Sequence, residues 1–117
     1  MTTGPLGTVT IAPGVLSTIV SLTAQEVPGV ARLGSVPGNQ RVGHLWDGTA
    51  ASGVLVRVVE DAVMADCYIV AQPETNLVQL GKAVQEAVTR ALRDMVGMPV
   101  RTVNVYIQDV EQRRAEG

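Results

Sequence analysis

The chain has 117 residues, the size of one domain that can bury a core of its own. A net charge of −2 gives no general attraction to nucleic acid or to anionic lipid. The single cysteine excludes an internal disulfide. Apolar residues make up 46% but form no run long enough to span a bilayer, so we expect no direct membrane insertion. The opening residues have no signal-peptide pattern, which predicts a cytoplasmic protein.

The first two predicted elements are a strand and a helix. Thr8–Ile11 alternates polar and apolar residues, which predicts a half-buried strand with its apolar side chains inward. Pro13 is suited to the first helical position, and the helix should end before Pro28. Glu26 falls on the apolar side of this helix. It is expected either to turn out to solvent or to pair with an Arg of the sheet.

A short edge strand and a long loop are predicted next. Val30–Leu33 suits the strand, and residues 34–52 are rich in Gly, Pro, Asn, Ser and Thr without a period, which predicts a loop that is functional or mobile. The loop carries His44 and Trp46, each the only residue of its type. No second His or Cys lies at metal-ligand spacing, so we expect His44 to be a bystander and no metal to bind. Trp46 should cover the core, or else serve as a docking anchor.

The second half of the chain predicts a hairpin, a long helix and a last strand. Val54–Glu60 and Met64–Ala71 are alternating apolar runs joined by a short polar turn, which is typical of a hairpin. Asn76 to Gly97 has one broad apolar face, a capping residue at its start and a glycine exit at its end. Arg101–Gln108 alternates again and predicts the last strand.

The predicted fold is α+β, with the split β-α-β-β-α-β order and two helices on one face of a mainly antiparallel sheet. Residues 1–117 form a single domain, with tails at 1–6 and 109–117. Strand parity also turns Val58 inward, beside Val54. Helical period and strand parity together predict a shared buried core of Val56, Ile69, Val84, Val88, Leu92, Val103 and Val105.

The same parity gathers polar and aromatic residues on the opposite, uncovered face of the sheet. That face is either the wet side of a two-layer domain or a surface for a partner. Both tyrosines of the chain lie there, and tyrosine is well suited to interfaces. The predicted partner-binding residues are Arg57, Asp66, Tyr68, Asn104 and Tyr106.

The sequence shows no catalytic constellation. Cys67 has only His44 as a candidate base, from a loop, and its inward position makes it a small hydrophobe. No phosphate-cradling glycine loop is present either, so we expect no enzymatic activity. The alternative function is a nucleic-acid-binding module that uses the open face. The acidic balance and the few basic residues on that face argue against nucleic acid.

Several short runs, in order and spacing, resemble one family. Those in the second half are Asp66-Cys-Tyr-Ile-Val, Asn76, Gln85, Met95-Val-Gly97 and Val103-Asn-Val105. Those in the first half are Gly7-Thr-Val-Thr-Ile-Ala-Pro-Gly-Val15 and Val27-Pro-Gly-Val30. Together they look like the alkaline-shock-protein family of bacterial envelope stress response proteins, also called the Gls-type family, over nearly the whole chain.

The resemblance implies a non-enzymatic cytoplasmic scaffold without a cofactor. Such a protein would self-associate or bind a protein partner such as a small membrane-anchored protein, which would hold it near the membrane, and it would support the cell envelope under stress. The chain departs from the family at residues 71–75, where the usual turn contains Gly. It also lacks the basic charge that direct membrane contact would use.

Overall fold

A computed structural model describes residues 2–4, 6–38, 48–51 and 53–112 of the chain. His44 and Trp46 lie outside the described residues. The helices are α1 (Pro13–Glu26) and α2 (Leu77–Val96). The strands are β1 (Thr2–Gly4), β2 (Gly7–Val9), β3 (Val30–Leu33), β4 (Gly48–Ala51), β5 (Val54–Val59), β6 (Ala62–Ala71) and β7 (Val100–Val110).

The predicted α+β fold is confirmed, with both helices on one face of a mainly antiparallel sheet. Strands β3, β4 and β5 belong to its antiparallel part, and β7 runs parallel to β6 along the other edge of β6. Strand β6 is therefore the centre of the sheet. No helix among the described residues is long and apolar enough to cross a membrane.

Strands β3 and β5 lie end to end along the same edge of β6, and Tyr68 marks the junction. The Tyr68 carbonyl accepts from the Gly34 amide at 2.7 Å, and the Tyr68 amide donates to the Gly53 carbonyl at 2.8 Å. Gly53 has φ 72, and a Cβ there would lie 2.6 Å from the Cβ of Leu33. Only glycine fits this junction without displacing a strand.

The ends of α2 follow the predicted signals. The Asn76 side chain accepts from the Gln79 amide at 3.0 Å, which satisfies one free donor of the first turn. Gly97 takes a left-handed conformation with φ 76, and its amide donates to the Leu92 and Arg93 carbonyls.

The core between helices and sheet contains six of the seven predicted residues, and the seventh, Val105, is half-buried and packs against it. Val58 departs from its predicted inward burial and is 42% exposed, since it borders an open cleft. Glu26 is exposed, as in the first of its two alternatives. The buried core side chains of α2 are Leu80, Val84, Val88 and Leu92.

A first strand is present, as predicted, but it covers Gly7–Val9, and its predicted inward burial was wrong. Strand β2 pairs only with β1, in a separate two-stranded hairpin, and its side chains are exposed. Alternation alone does not identify the partner of a strand, and here the N-terminal residues provide it.

The predicted loop and tails also contain strands. Strand β4 lies within residues 34–52 and pairs with β5. Strand β1 lies within the predicted tail 1–6, and β7 extends to Val110, beyond the predicted start of the second tail. The run Gly-Thr-Ala-Ala of β4 has no apolar alternation, so its pairing depends on its neighbour rather than on its own sequence.

Candidate partner-binding surface

The sheet face opposite the helices, called the outer face below, carries the five predicted residues. Tyr68 and Tyr106 are direct neighbours across β6 and β7. Their rings stack with centroids 4.7 Å apart and planes inclined by 13°. Tyr68 is only 3% exposed, whereas Tyr106 is 43% exposed. Tyr106 is therefore the accessible member of the pair, and the buried ring of Tyr68 packs against it.

The outer face is not fully uncovered, contrary to the prediction. After β3 the chain crosses beneath the sheet, and Val36, Leu55 and Tyr68 form a second small core there. The side chain of Gln108 holds this crossing in place. Its Oε1 accepts from the Ser35 amide at 2.9 Å, and its Nε2 donates to the Ser35 carbonyl at 2.8 Å. Tyr68 therefore lies on the outer face and also contributes to stability, because its large ring is buried in this second core.

The polar residues of the outer face are also paired. The Asn104 Nδ2 donates to Asp66 Oδ1 at 2.9 Å, between directly opposite positions of β6 and β7. Both residues are half-buried. Arg57 lies opposite Met64 in the β5–β6 ladder, two residues from Leu55, and so shares this face. The structure thus brings four of the five residues into two contacting pairs and places the fifth on the same face.

The thiol of Cys67 points into the helix-side core and is buried. Burial, and to a smaller extent the charge of Asp66, raises its pKa from 9.0 to about 12. A neutral thiol is a poor nucleophile and a poor metal ligand. Among the described residues, no group of three or more His, Cys, Asp or Glu is placed to hold a metal ion.

The solvent side of α2 carries a shallow depression of about 360 Å³. Glu86 and Asp94 line it together with Arg90 and Arg93, so both signs of charge are interspersed, as on an ordinary solvated face. Gln85, at its rim, reaches the sheet, where its Nε2 donates to the Val103 carbonyl at 3.1 Å. This hydrogen bond ties α2 to β7.

A second surface was missed by sequence reasoning. The hairpin of β1 and β2, called the arm below, exposes Leu6 and Val9. At its base lies an apolar cleft of about 280 Å³, lined by Ile11, Pro13, Leu16, Val58, Asp61 and Met98. The sequence did contain a signal for this surface, namely the lack of charge: residues 1–31 contain a single charged side chain, Glu26.

Fold and surfaces define a class: a small two-layer α+β domain that, among the residues the structure describes, presents the exposed ring of Tyr106, stacked on Tyr68, on its outer face. The model of the Asp-23 family, described as having a cell envelope-related function, matches residues 1–112, and the chain belongs to this family, the alkaline shock proteins. The resemblance drawn from the sequence motifs is thereby confirmed.

Relatives occur in Bacillus and in Streptococcus. The uncharacterized protein YqhY of Bacillus subtilis is 29% identical over 112 residues, covering 91% of this chain and 78% of its own. The uncharacterized protein Spy1535 of Streptococcus pyogenes serotype M6 is 28% identical over 112 residues, covering 94% of this chain and 84% of its own. Neither name carries a function that could be compared with the site.

Solved structures share the fold. The copper form of the MamM CTD superposes with a TM-score of 0.57 at 20% identity, over 88% of this chain and 91% of that one. A tryptophan-to-alanine variant of the same domain gives a TM-score of 0.57 at 21% identity, over 84% of this chain and 75% of that one. At this identity the likeness concerns the fold alone.

Proposed function

We propose that this chain is a non-enzymatic scaffold of the cell envelope that acts by binding other proteins, including further copies of itself. The observation that carries the proposal is the ring of Tyr106, which is 43% exposed and stacked on the buried Tyr68. A ring already held in one orientation loses little freedom when a partner covers it, which favours binding. Membership of a family with a cell envelope-related function supports a role at the cell envelope.

The surroundings of Tyr106 indicate the kind of partner. Asp66 and Asn104 already hydrogen-bond each other, and Arg57 lies on the same face. A protein surface that offers an apolar pocket for the ring and polar groups around it would match this pattern. We infer a protein partner, such as a small membrane-anchored protein, that holds the chain on the cytoplasmic side of the membrane. Nucleic acid and direct membrane insertion are not part of this proposal.

The absence of enzymatic activity is part of the proposal. The buried thiol of Cys67, with its pKa raised to about 12, supports it, because this group is not available as a nucleophile.

Capture from a native lysate tests the proposal, with the Tyr106→Ser variant beside the parent chain. The variant should retain less of the captured partner than the parent while its thermal melting stays close to that of the parent. Arg93→Ser, on the solvent side of α2, is the matched control and should capture normally. Equal capture by Tyr106→Ser would show that the outer face is not the contact. Steeply salt-dependent binding to a generic oligonucleotide would favour the nucleic-acid alternative.

A further inference from the structure

The first 31 residues form a surface almost without charge. Glu26 is their only charged side chain, so every Lys and Arg of the chain lies further on. On α1, the exposed positions Val15 and Leu22 are apolar, and Thr18 is neutral. The exposed side of α2 differs, since it carries Lys82, Glu86, Arg90, Arg93 and Asp94. Depletion of charge is typical of surfaces that another protein covers.

The arm projects from this uncharged surface. All side chains of β2 are exposed, Leu6 is fully exposed at the turn of the hairpin, and Val9 is 63% exposed. The two strands have three residues each. A two-stranded hairpin of this size is at best marginally stable in water by itself, so further contacts are needed to hold it.

The cleft lies at the base of the arm. Its lining is apolar apart from Asp61, and Val58, which is 42% exposed, borders it. Ile11 and Pro13 of the lining follow the arm directly in the chain. One surface therefore contains both a projecting apolar residue and a recess that could receive one. Such a surface can complement a second copy of itself around a two-fold axis.

We propose that two copies of this chain exchange their arms, with Leu6 of each copy seated in the cleft of the other. This inference deepens the proposed function and rests on its self-association. Other occupants fit less well. Anionic lipid and nucleic acid are held by Lys and Arg, and the arm and α1 contain neither. The chain's own arm does not fill the cleft, because Leu6 is fully exposed.

Sedimentation equilibrium of the full chain tests the exchange. Leu6→Glu places a carboxylate beside Asp61 and should weaken dimerisation roughly ten-fold or more. Val78→Glu is the matched control, because Val78 is an exposed apolar residue of α2 outside the arm and cleft, and it should leave the dimer unchanged. Adding Val58→Lys to Leu6→Glu should restore part of the affinity through a charge pair. Circular dichroism melting shows that each variant folds.

A Leu6→Cys, Val58→Cys double variant shows whether the arm reaches the cleft of the second copy or the cleft of its own chain. The native Cys67 does not interfere, because it is buried. Oxidation should give a disulfide-linked dimer on a non-reducing gel. An intramolecular disulfide would mean that the arm folds onto its own chain and would overturn the exchange. A dimer that Leu6→Glu leaves intact would overturn the exchange while leaving the proposed self-association in place.

Two further results would overturn the exchange. The first is a parent chain that stays monomeric at high concentration, which would also remove self-association but not partner binding from the proposed function. The second is a monomer that binds vesicles of phosphatidylcholine and phosphatidylglycerol through Leu6, which would assign the arm to lipid. Arg93→Ser, on the solvent side of α2 and outside the arm and cleft, should dimerise normally in all of these assays. Leu6→Glu should still capture the lysate partner as the parent does, so failure of the arm and failure of the outer face are separate outcomes.

Discussion

The ring of Tyr68 lies against the ring of Tyr106 with a centroid distance of 4.7 Å, yet the two residues have opposite exposure. The same pair therefore serves two purposes. Tyr68 fills the small core under the sheet, and Tyr106 presents its ring to solvent. Although the two tyrosines are neighbours in the sheet, we expect loss of the buried Tyr68 ring to lower stability more than loss of the exposed Tyr106 ring.

Truncation of the two tyrosines should separate these effects. Tyr68→Ala should lower the free energy of unfolding by about 3 kcal/mol, because it leaves a cavity beneath Leu55 and Val36. Tyr106→Ala should cost about 1 kcal/mol, mainly through the lost stacking. Urea denaturation followed by circular dichroism measures both. Equal losses would show that Tyr68 is not covered in solution.

Val88 tests the helix-side core. This residue of α2 is completely buried, so Val88→Asp places an unpaired charge among apolar side chains. The loss should be several kcal/mol, a large part of the total stability of a domain of this size. Arg90→Asp, on the exposed side of the same helix, is the control and should change thermal stability little. A Val88→Asp variant that melts with the parent would contradict the packing of α2.

Cys67 makes stability fall at alkaline pH. Its pKa is raised from 9.0 to about 12 in the folded chain, so above pH 9.0 the unfolded chain loses this proton first. The free energy of unfolding should then decrease as pH rises, by up to about 1.4 kcal/mol per pH unit. Cys67→Ala removes this contribution, and its denaturation curves between about pH 8 and about pH 11 should depend less on pH. Equal slopes for the parent and the variant would place the thiol in contact with water.

The turn between β5 and β6 can be improved. Glu60 and Asp61 both have positive φ, 51 and 64, in a two-residue hairpin loop that favours Asn-Gly. The double change Glu60→Asn, Asp61→Gly should raise the free energy of unfolding by roughly 1 kcal/mol. It also removes the exposed Glu60–Arg101 pair at 3.4 Å, which contributes little. Glu60→Gln removes the charge alone and serves as the control. Lower thermal stability of the Asn-Gly variant would contradict the turn geometry.

Local signals account for what the sequence predicted well. Asn76 and Gly97 bracket α2 because capping and the left-handed exit depend on residues within one turn of the helix. Pro13 starts α1 for a similar local reason. The inward and outward sides of β6 followed from strand parity, with Ile69 in the main core and Tyr68 on the opposite face.

The features that were missed depend on distant contacts. Val36 lies between Ser35 and Pro37 in a stretch without apolar alternation, so no period marks it, yet it packs against Leu55 and Tyr68 from beneath the sheet. Its position depends on Gln108, which is more than seventy residues away in the chain. The pairing of β4 with β5 likewise has no apolar alternation to predict it. For the arm, the missing charge was visible in the sequence, but its projection from the domain was not.

The end-to-end arrangement of β3 and β5 along β6 has a consequence for amide hydrogen exchange. Strand β6 is bonded to β3 and β5 on one edge and to β7 on the other, so neither edge is free. Detachment of β3 alone exposes only the amides near Ile69 to Ala71, and detachment of β5 only those before Tyr68. The slowest-exchanging amides of the protein should lie in β6, where deuterium enters fully only when the whole domain opens.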